Sequence, residues 1–467
     1  MLSEDELRLF RKLYGNCEVT LRYFILTKKN PYISCFITDF QDISSWNCTE
    51  PVFISAQTGT GKNYFIQHTL VNYVNQQNIA NNFYGKILLL SNRVALTRQG
   101  KKQLAGNLID VVGDNKPFKK MTGYTDEGLD NYTNFNIVEV LSYHQLYNRL
   151  LIPEECEKLN KRNFKYIIFD ECHFFTSDAT TFNRNTQFIL RHCIETFKDS
   201  IRIYMSATLE EAFSPIIRAE SKFGTNTKIS GTVHCLYYYF ARNYNYINEP
   251  INVYSDLMSL PEYIQGRSPD KWIVFVSSKK DGGSLVEKLH EQGIKAVFLS
   301  ADSKETSSKE YTTYKGIVEE EKFPQQVLVA TSVLDNGINI KDPDVKHIVI
   351  DVLDRTEFVQ MLGRVRISGD QEIKLYIRHY SDENIKKFFM NDVKALLARL
   401  HTDFIKNDVR TDYYQNLPDS KYKKEHLFRL TAGKRQFKYN KCAIYKLLER
   451  TITFLRVLNV NTLRGCW

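Results

Sequence analysis

The residues best suited to chemistry begin with Ala56-Gln57-Thr58-Gly59-Thr60-Gly61-Lys62-Asn63, set between a short apolar run and a helical pattern. Glycines let a backbone fold tightly, so successive N–H groups and the start of the following helix converge on one anion. Lys62 adds a point charge able to reach the outer phosphates of a nucleotide. Glycine-rich loops also arise for turn reasons alone; the strand–loop–helix context and the Gly-Lys pair are what select a nucleotide. Asn63 stands where this loop type carries a Ser or Thr whose hydroxyl ligates Mg2+. An amide oxygen is a hard ligand that Mg2+ accepts, but on a longer side chain. Asn63 is therefore expected to hold the ion directly or through water, with looser geometry.

A second group, Asp170-Glu171-Cys172-His173, ends another apolar run about 110 residues later. A carboxylate at the C-terminal end of a strand can hold Mg2+, and the next can orient and deprotonate an attacking water. Alone, an Asp-Glu pair after a strand is more often a solvated loop. Here it precedes Ser206-Ala207-Thr208, which directly follows a fifth apolar run.

These groups must be positioned by strands and helices. Apolar runs at 52–55, 87–90, 137–141, 166–169 and 201–205 read as strands buried on both faces, because they are apolar throughout rather than alternating. Helical patterns lie between them at 63–74, 94–104 and 182–197. The pattern pauses over 222–250, which carries Gly224, Gly231 and the aromatic run 237–240, and a domain junction is expected there. Strands resume at 272–276, 296–299, 327–330, 347–350 and 373–377. Alternating strands and helices imply right-handed crossovers and doubly wound sheets. The expected division is 1–39, 40–235, 236–395 and 396–467. A surface helix is expected near the start, where Ser3 and Glu6 have capping-box spacing and Leu7, Phe10 and Tyr14 recur at helical steps. A long amphipathic helix is expected at 382–400.

Composition narrows the field. Of 467 residues, 43% are hydrophobic and 25% charged, ordinary for a globular chain and against disorder or coiled coil. No apolar run approaches the ~18–20 residues of a membrane span, and the N-terminal region has no secretory apolar core. Nine scattered cysteines without a CxxC pair argue against zinc-ribbon and iron–sulfur sites, and for reduced thiols in a cytoplasmic setting. The net charge of +9 is concentrated at the end: residues 421–467 hold twelve Lys and Arg against Glu425 and Glu449. Cations interleaved with rings, such as Lys421, Tyr422, Lys423, Lys424, Phe428 and Arg429, suit a single strand of nucleic acid, whose bases stack while its backbone is neutralised. A partner protein or a solvated helical face would use the same residues. A further expectation is that the chain is part of a longer polypeptide.

The phosphate loop, the Asp-Glu pair and the Ser-Ala-Thr element, in that order, resemble the first domain of superfamily 2 helicases of the DExH type. Residues 331–339 are similar to that family's fifth motif, and Gln360-Met361-Leu362-Gly363-Arg364-Val365-Arg366 to its sixth. Residues 93–99 resemble motif Ia, 142–146 motif Ib and 276–278 motif IV. The resemblance covers roughly residues 50–380. It implies an α/β fold of two RecA-like, doubly wound, parallel-sheet domains in tandem, with a small helical N-terminal extension and a basic C-terminal one.

It further implies ATP and Mg2+ as cofactors. Gln57, Thr58, Gly59, Thr60, Gly61, Lys62, Asn63, Gly337 and Asn339 would bind the nucleotide, and Asn63 and Asp170 the metal. Glu171 would be the general base. Cys172, at a variable position of the family, is expected to be a packed thiol. His173, Ser206 and Thr208 would couple nucleotide state to nucleic-acid grip, and Arg93, Thr97, Ser142, Ser277 and Thr331 would touch the nucleic-acid backbone, though an N-cap or surface role is as common for any one of these. Gln360 and Arg364 would reach across the cleft, Arg364 as an arginine finger. The family's second arginine stands seven residues after the glutamine, but here that position is Ile367 and Arg366 comes one earlier. If the segment is helical, one residue is ~100° of rotation, so Arg366 is a catalytic candidate second to Arg364, with a surface or interdomain ion pair as an equal alternative.

The reading that follows is an ATP-dependent helicase or translocase on nucleic acid, with DNA favoured over RNA because the sixth motif resembles DNA translocases of restriction and repair systems. The rival is an ATP-binding scaffold or nucleotide-sensing module with weak turnover, motivated by Asn63 and the shifted arginine.

Overall fold

In the computed structural model the described residues are 17–27, 29–38, 42–82, 85–92, 101, 104, 133–135, 137–180, 185–223, 233–266, 269–331, 339–367, 371–381, 383–384, 428–430 and 437–446. The expected N-terminal helix, Arg93, Thr97, Gly337 and nearly all of the expected 382–400 helix lie outside them.

The strands in chain order begin with β1 (Cys17–Ile25), β2 (Val52–Ala56), β3 (Lys86–Ser91), β4 (Asn134–Phe135), β5 (Val138–Ser142), β6 (Phe164–Asp170), β7 (Ile201–Ser206) and β8 (Val233–Arg242). They form one sheet in the order β1-β8-β2-β7-β6-β3-β5-β4, parallel except for the β4–β5 pair. A second sheet is built from β9 (Ile247–Tyr254), β10 (Lys271–Val276), β11 (Ala296–Leu299), β12 (Val327–Ala330), β13 (Val345–Asp351) and β14 (Ile373–Arg378). Its order is β11-β12-β10-β13-β14-β9, parallel throughout. Two doubly wound α/β domains thus stand in tandem, as the alternating pattern requires. Two further short strands, β15 (Phe428–Leu430) and β16 (Phe437–Tyr439), pair antiparallel.

Both sheets are covered on both faces, which is why their strands lack polar alternation. In β2, Phe53 packs with Tyr204 and the helices Thr186–Thr196 and Leu209–Phe223, while Val52, Ile54 and Ala56 pack on the other side with Phe65, Ile66 and Leu70. In β10, Ile273 and Phe275 go one way and Trp272, Val274 and Val276 the other.

Besides the short β4, β15 and β16, three longer strands escape sequence reading. β1 lies in the stretch assigned to a helical N-terminal extension, yet it pairs with β8. β8 contains the aromatic run 237–240 and straddles the expected boundary at 235/236; the chain leaves the first sheet only after Arg242. β9, with Pro250 inside it and polar residues along it, is an edge strand of the second sheet, where the missing N–H of proline is tolerated.

Candidate active site

The phosphate loop leaves the C-terminal end of β2. Gly59 (φ 90°) and Gly61 (φ 83°) are left-handed, a region closed to most side chains. Gly61 also leads directly into the helical segment at Lys62–Tyr64, which passes through a π-turn at Phe65–Leu70 and continues as Val71–Asn81. Lys62 is buried, and its Nζ donates to the Ala56 carbonyl at 2.9 Å. Burial lowers its pKa, against the raising influence of Glu171 and Asp170.

Sheet register brings the carboxylates to this loop. β7 lies between β2 and β6, with Ser206 opposite Ser55 and Asp170 opposite Met205, so Ser206 stands between the phosphate loop and the Asp-Glu pair. Glu171 has φ 49°, a left-handed conformation that non-glycine residues adopt rarely and chiefly where surroundings impose it. His173 Nδ1 and Ser206 Oγ share a hydrogen bond at 2.9 Å, His173 Nδ1 lies 3.3 Å from Glu171 Oε2, and the Thr208 N–H donates to Ser206 Oγ at 3.0 Å. The three residues expected to couple nucleotide to nucleic acid therefore form one hydrogen-bonded chain ending on Glu171. Burial alone would raise the Glu171 pKa, but Lys62 and His173 outweigh it and hold the carboxyl below its usual range. Asp170 goes the other way, pushed up to about 7 by burial and then by the charge of Glu171. Cys172 is fully buried among Phe174, Phe175 and their neighbours, and burial raises its thiol pKa.

The second lobe meets this loop through its sixth motif. The helix Arg355–Leu362 stops before Gly363, Arg364 lies in a turn with its N–H on the Met361 carbonyl at 3.0 Å, and Val365 bridges to Ile340: the Ile340 N–H donates to the Arg364 carbonyl at 2.9 Å and the Arg366 N–H to the Ile340 carbonyl at 2.8 Å. This corrects the helical premise applied to Arg366. Because the helix has already ended, the offset of one residue imposes no helical rotation on Arg366, whose placement follows from the bridge to Ile340 instead. A Cβ added to Gly59 would lie 3.2 Å from Arg366 Nη1, and one on Gly363 only 2.6 Å from Thr58 Oγ1. Arg366 Nε donates to Asn339 Oδ1 at 2.9 Å, burial lowers its pKa to about 10, and the charge of Arg364 adds to that. Gln360 is buried and accepts from Arg364 Nη2 at 3.4 Å.

Several buried polar atoms here have no hydrogen-bond partner: Thr58 Oγ1, Gln360 Nε2 and Arg366 Nη1 around the loop, and Asp170 Oδ1 beside it. Leaving such atoms unsatisfied is costly, so donors facing a left-handed loop fit an anion, and the carboxylate oxygen fits a cation. Among the described residues no cluster of three His, Cys, Asp or Glu could hold a metal by itself. A cation beside Asp170 would reverse the preference for its protonated form. Asn63 is exposed at the start of the helix.

The expected strand contacts are mixed. Ser142 is the N-cap of the helix Tyr143–Leu150, accepting from the Gln145 N–H at 3.0 Å in a capping box. Ser277 is exposed, and Thr331 is buried with its N–H on the Leu299 carbonyl. Sequence reading missed Arg242, which donates to Ser55, to the Ala207 carbonyl and to Glu210. It also missed the junction residue Asn243, whose N–H donates to Gln57 Oε1 at 2.7 Å. Neither lies in a recognisable motif; only the fold of β8 onto β2 brings them in.

Residues 30–211 match the family model of the type III restriction enzyme, res subunit, and residues 255–368 that of the helicase conserved C-terminal domain. No curated protein matches the chain. Among solved structures, S. cerevisiae Dbp5 bound to RNA and ADP BeF3 is similar at 18% identity and TM-score 0.43, over 76% of this chain and 89% of that one. Mss116p, lacking its NTE and C-tail and bound to ssRNA and AMP-PNP, is similar at 17% identity and TM-score 0.48, over 76% and 70%. Both scores are low, and the two family models carry the assignment.

Proposed function

We propose, starting from the chain's membership of the superfamily 2 helicases, that this ATP-hydrolysing enzyme couples each turnover to movement along or unwinding of nucleic acid. The observation that carries the proposal is the approach of Arg366, from one lobe, to Gly59 in the phosphate loop of the other. A triphosphate on that loop would touch both lobes and favour their closure, and loss of the γ-phosphate would release it.

In this reading Gln57 to Asn63 bind the nucleotide, with Lys62 on its outer phosphates. Asp170 and Asn63 would hold Mg2+, which neutralises phosphate charge when bound. Glu171, kept ionised by Lys62 and His173, takes the proton of the attacking water. Gln360, Arg364 and Arg366 stabilise the charge that develops during transfer. His173, Ser206 and Thr208 relay nucleotide state to the strand-binding loops. The second motivation for a weak-turnover scaffold, an arginine turned away from the cleft, loses its support because the helix ends before Gly363 and Arg366 lies against Gly59.

DNA is the expected partner because the first-lobe model describes a restriction enzyme subunit. Dbp5 and Mss116p were solved with RNA, and RNA is the alternative outcome. We assign a cytoplasmic location because the buried thiols Cys172, Cys193 and Cys442 suit a reducing compartment. No helix among the described residues is long and apolar enough to cross a membrane.

The deciding experiment is ATPase with single-stranded DNA, duplex DNA, single-stranded RNA and no polymer. Stimulation by a polymer that is lost in Lys62→Ala supports the motor. Nucleotide binding without stimulated turnover supports the scaffold.

A further inference from the structure

The basic C-terminal region is where the sequence suggests a polyanion contact, yet part of it is committed elsewhere. Asn440 Nδ2 donates to the Ala179 carbonyl at 3.1 Å, and the Lys441 N–H to Gln187 Oε1 at 2.6 Å. Cys442, Ala443 and Ile444 are buried in the core of the first lobe with Ile189 and Leu190. The described residues 441–446 are helical and are held against the first lobe by these contacts.

Lys446 ends this docked segment, buried at the seam between the lobes. Its Nζ donates to Glu211 Oε2 at 2.5 Å, from the helix Leu209–Phe223 that follows Ser206-Ala207-Thr208. It also lies 3.0 Å from Asp354 Oδ2 and 3.3 Å from Thr356 Oγ1, in the second lobe. Asp354 is the N-cap of the helix Arg355–Leu362, accepting from the Thr356 and Glu357 N–H groups. The other end of that helix delivers Gly363, Arg364 and Arg366 to the phosphate loop. Eight residues at ~1.5 Å rise make a rigid lever of roughly 12 Å, so where its cap is held decides where the arginines arrive. Without an ammonium between them, Glu211 and Asp354 would set two carboxylates against each other across the seam.

We infer that Lys446 is a positioning residue: anchored on the first lobe by Asn440–Lys446, it pins the cap of the second lobe's arginine-bearing helix and so sets how closely Arg364 and Arg366 approach the phosphate loop. The role of the arginines rests on the proposed function; the pinning of the lobes does not.

The test uses the full chain without nucleic acid. Fluorescent probes at the exposed positions of Lys161 and Lys315 report lobe separation by single-molecule energy transfer, and steady-state ATPase reports the arginines. Lys446→Met, similar in length but uncharged, should move most molecules to lower transfer efficiency. It should also lower kcat by roughly 10- to 100-fold, with KM for ATP within about threefold, as for misplaced groups acting mainly in the transition state. Lys446→Arg should restore both. Asp354→Asn keeps a capping oxygen and leaves the docked segment untouched, and should reproduce the Met variant; combined, the two should be no worse than either. Wild-type transfer efficiency and kcat in Asp354→Asn overturn the inference, even if Lys446→Met undocks the segment. If the wild type shows no ATPase with or without nucleic acid, the proposed function fails while the transfer measurement still decides whether Lys446 pins the lobes.

Discussion

Glu171 sits in a left-handed backbone conformation with His173 and Ser206 against its carboxyl, a fixed orientation that suits the general base proposed for it. Glu171→Gln should lower kcat by about 10²–10⁴ while nucleotide binding, followed by a fluorescent analogue, stays within a few-fold of wild type. Arg366 donates through Nε to Asn339 and keeps Nη1 for the loop. That geometry needs a guanidinium with several fixed donors, so Arg366→Ala should lower kcat by up to roughly 10³-fold, and Arg366→Lys should not rescue it. Unchanged turnover in Arg366→Ala would return this arginine to a structural role. Asn63→Thr restores a hydroxyl at the expected metal position and should leave turnover equal or faster, whereas a collapse would show that Asn63 serves another purpose.

At the scale of the element, a strand end and a helix end do most of the placing. Ser142 caps its helix through its own hydroxyl, so that hydroxyl is already engaged when a strand of nucleic acid arrives. Ser142→Ala should cost about 1 kcal/mol of stability in denaturant titration. Ser142→Asp retains a cap of similar quality but sets a negative charge on the proposed strand path. It should keep the stability and weaken nucleic-acid binding, and unaltered binding would remove Ser142 from the interface. The central strands were legible because a strand buried on both faces has no choice but to be apolar, as in residues 166–169. β1 and β9 were not, since edge strands have mixed composition and are defined by what they pair with. The helix end before Gly363 was equally hidden: residues 364–366 carry no breaker, and it is the bridge between Val365 and Ile340 that takes the chain out of the helix.

For the whole molecule, the two roles proposed for the C-terminal region can be separated. Deleting 421–467 would remove Lys446 together with the interleaved cations and rings, confusing lobe geometry with strand binding. Replacing Lys421, Lys423 and Lys424 by Gln leaves Asn440–Lys446 in place. If these cations neutralise phosphates, each lost contact should reduce the log–log salt slope of binding by about 0.7–0.9. An unchanged slope would send them to a protein partner or to solvent.

What the amino-acid order determined alone is the chemistry: a glycine-lysine loop, an adjacent pair of carboxylates and an arginine pair, each in local contexts that name a strand or a turn. Local contexts suffice there because backbone conformation and side-chain type act over a few residues. Tertiary structure alone decided which of these groups meet. Arg366 turns toward Gly59, Arg242 threads under the phosphate loop, and Lys446 comes from far along the chain to lie between Glu211 and Asp354. Those arrangements depend on sheet order and on the seam between two lobes, where burial strengthens each charge contact and where no neighbouring residue in the sequence carries a trace of the partner.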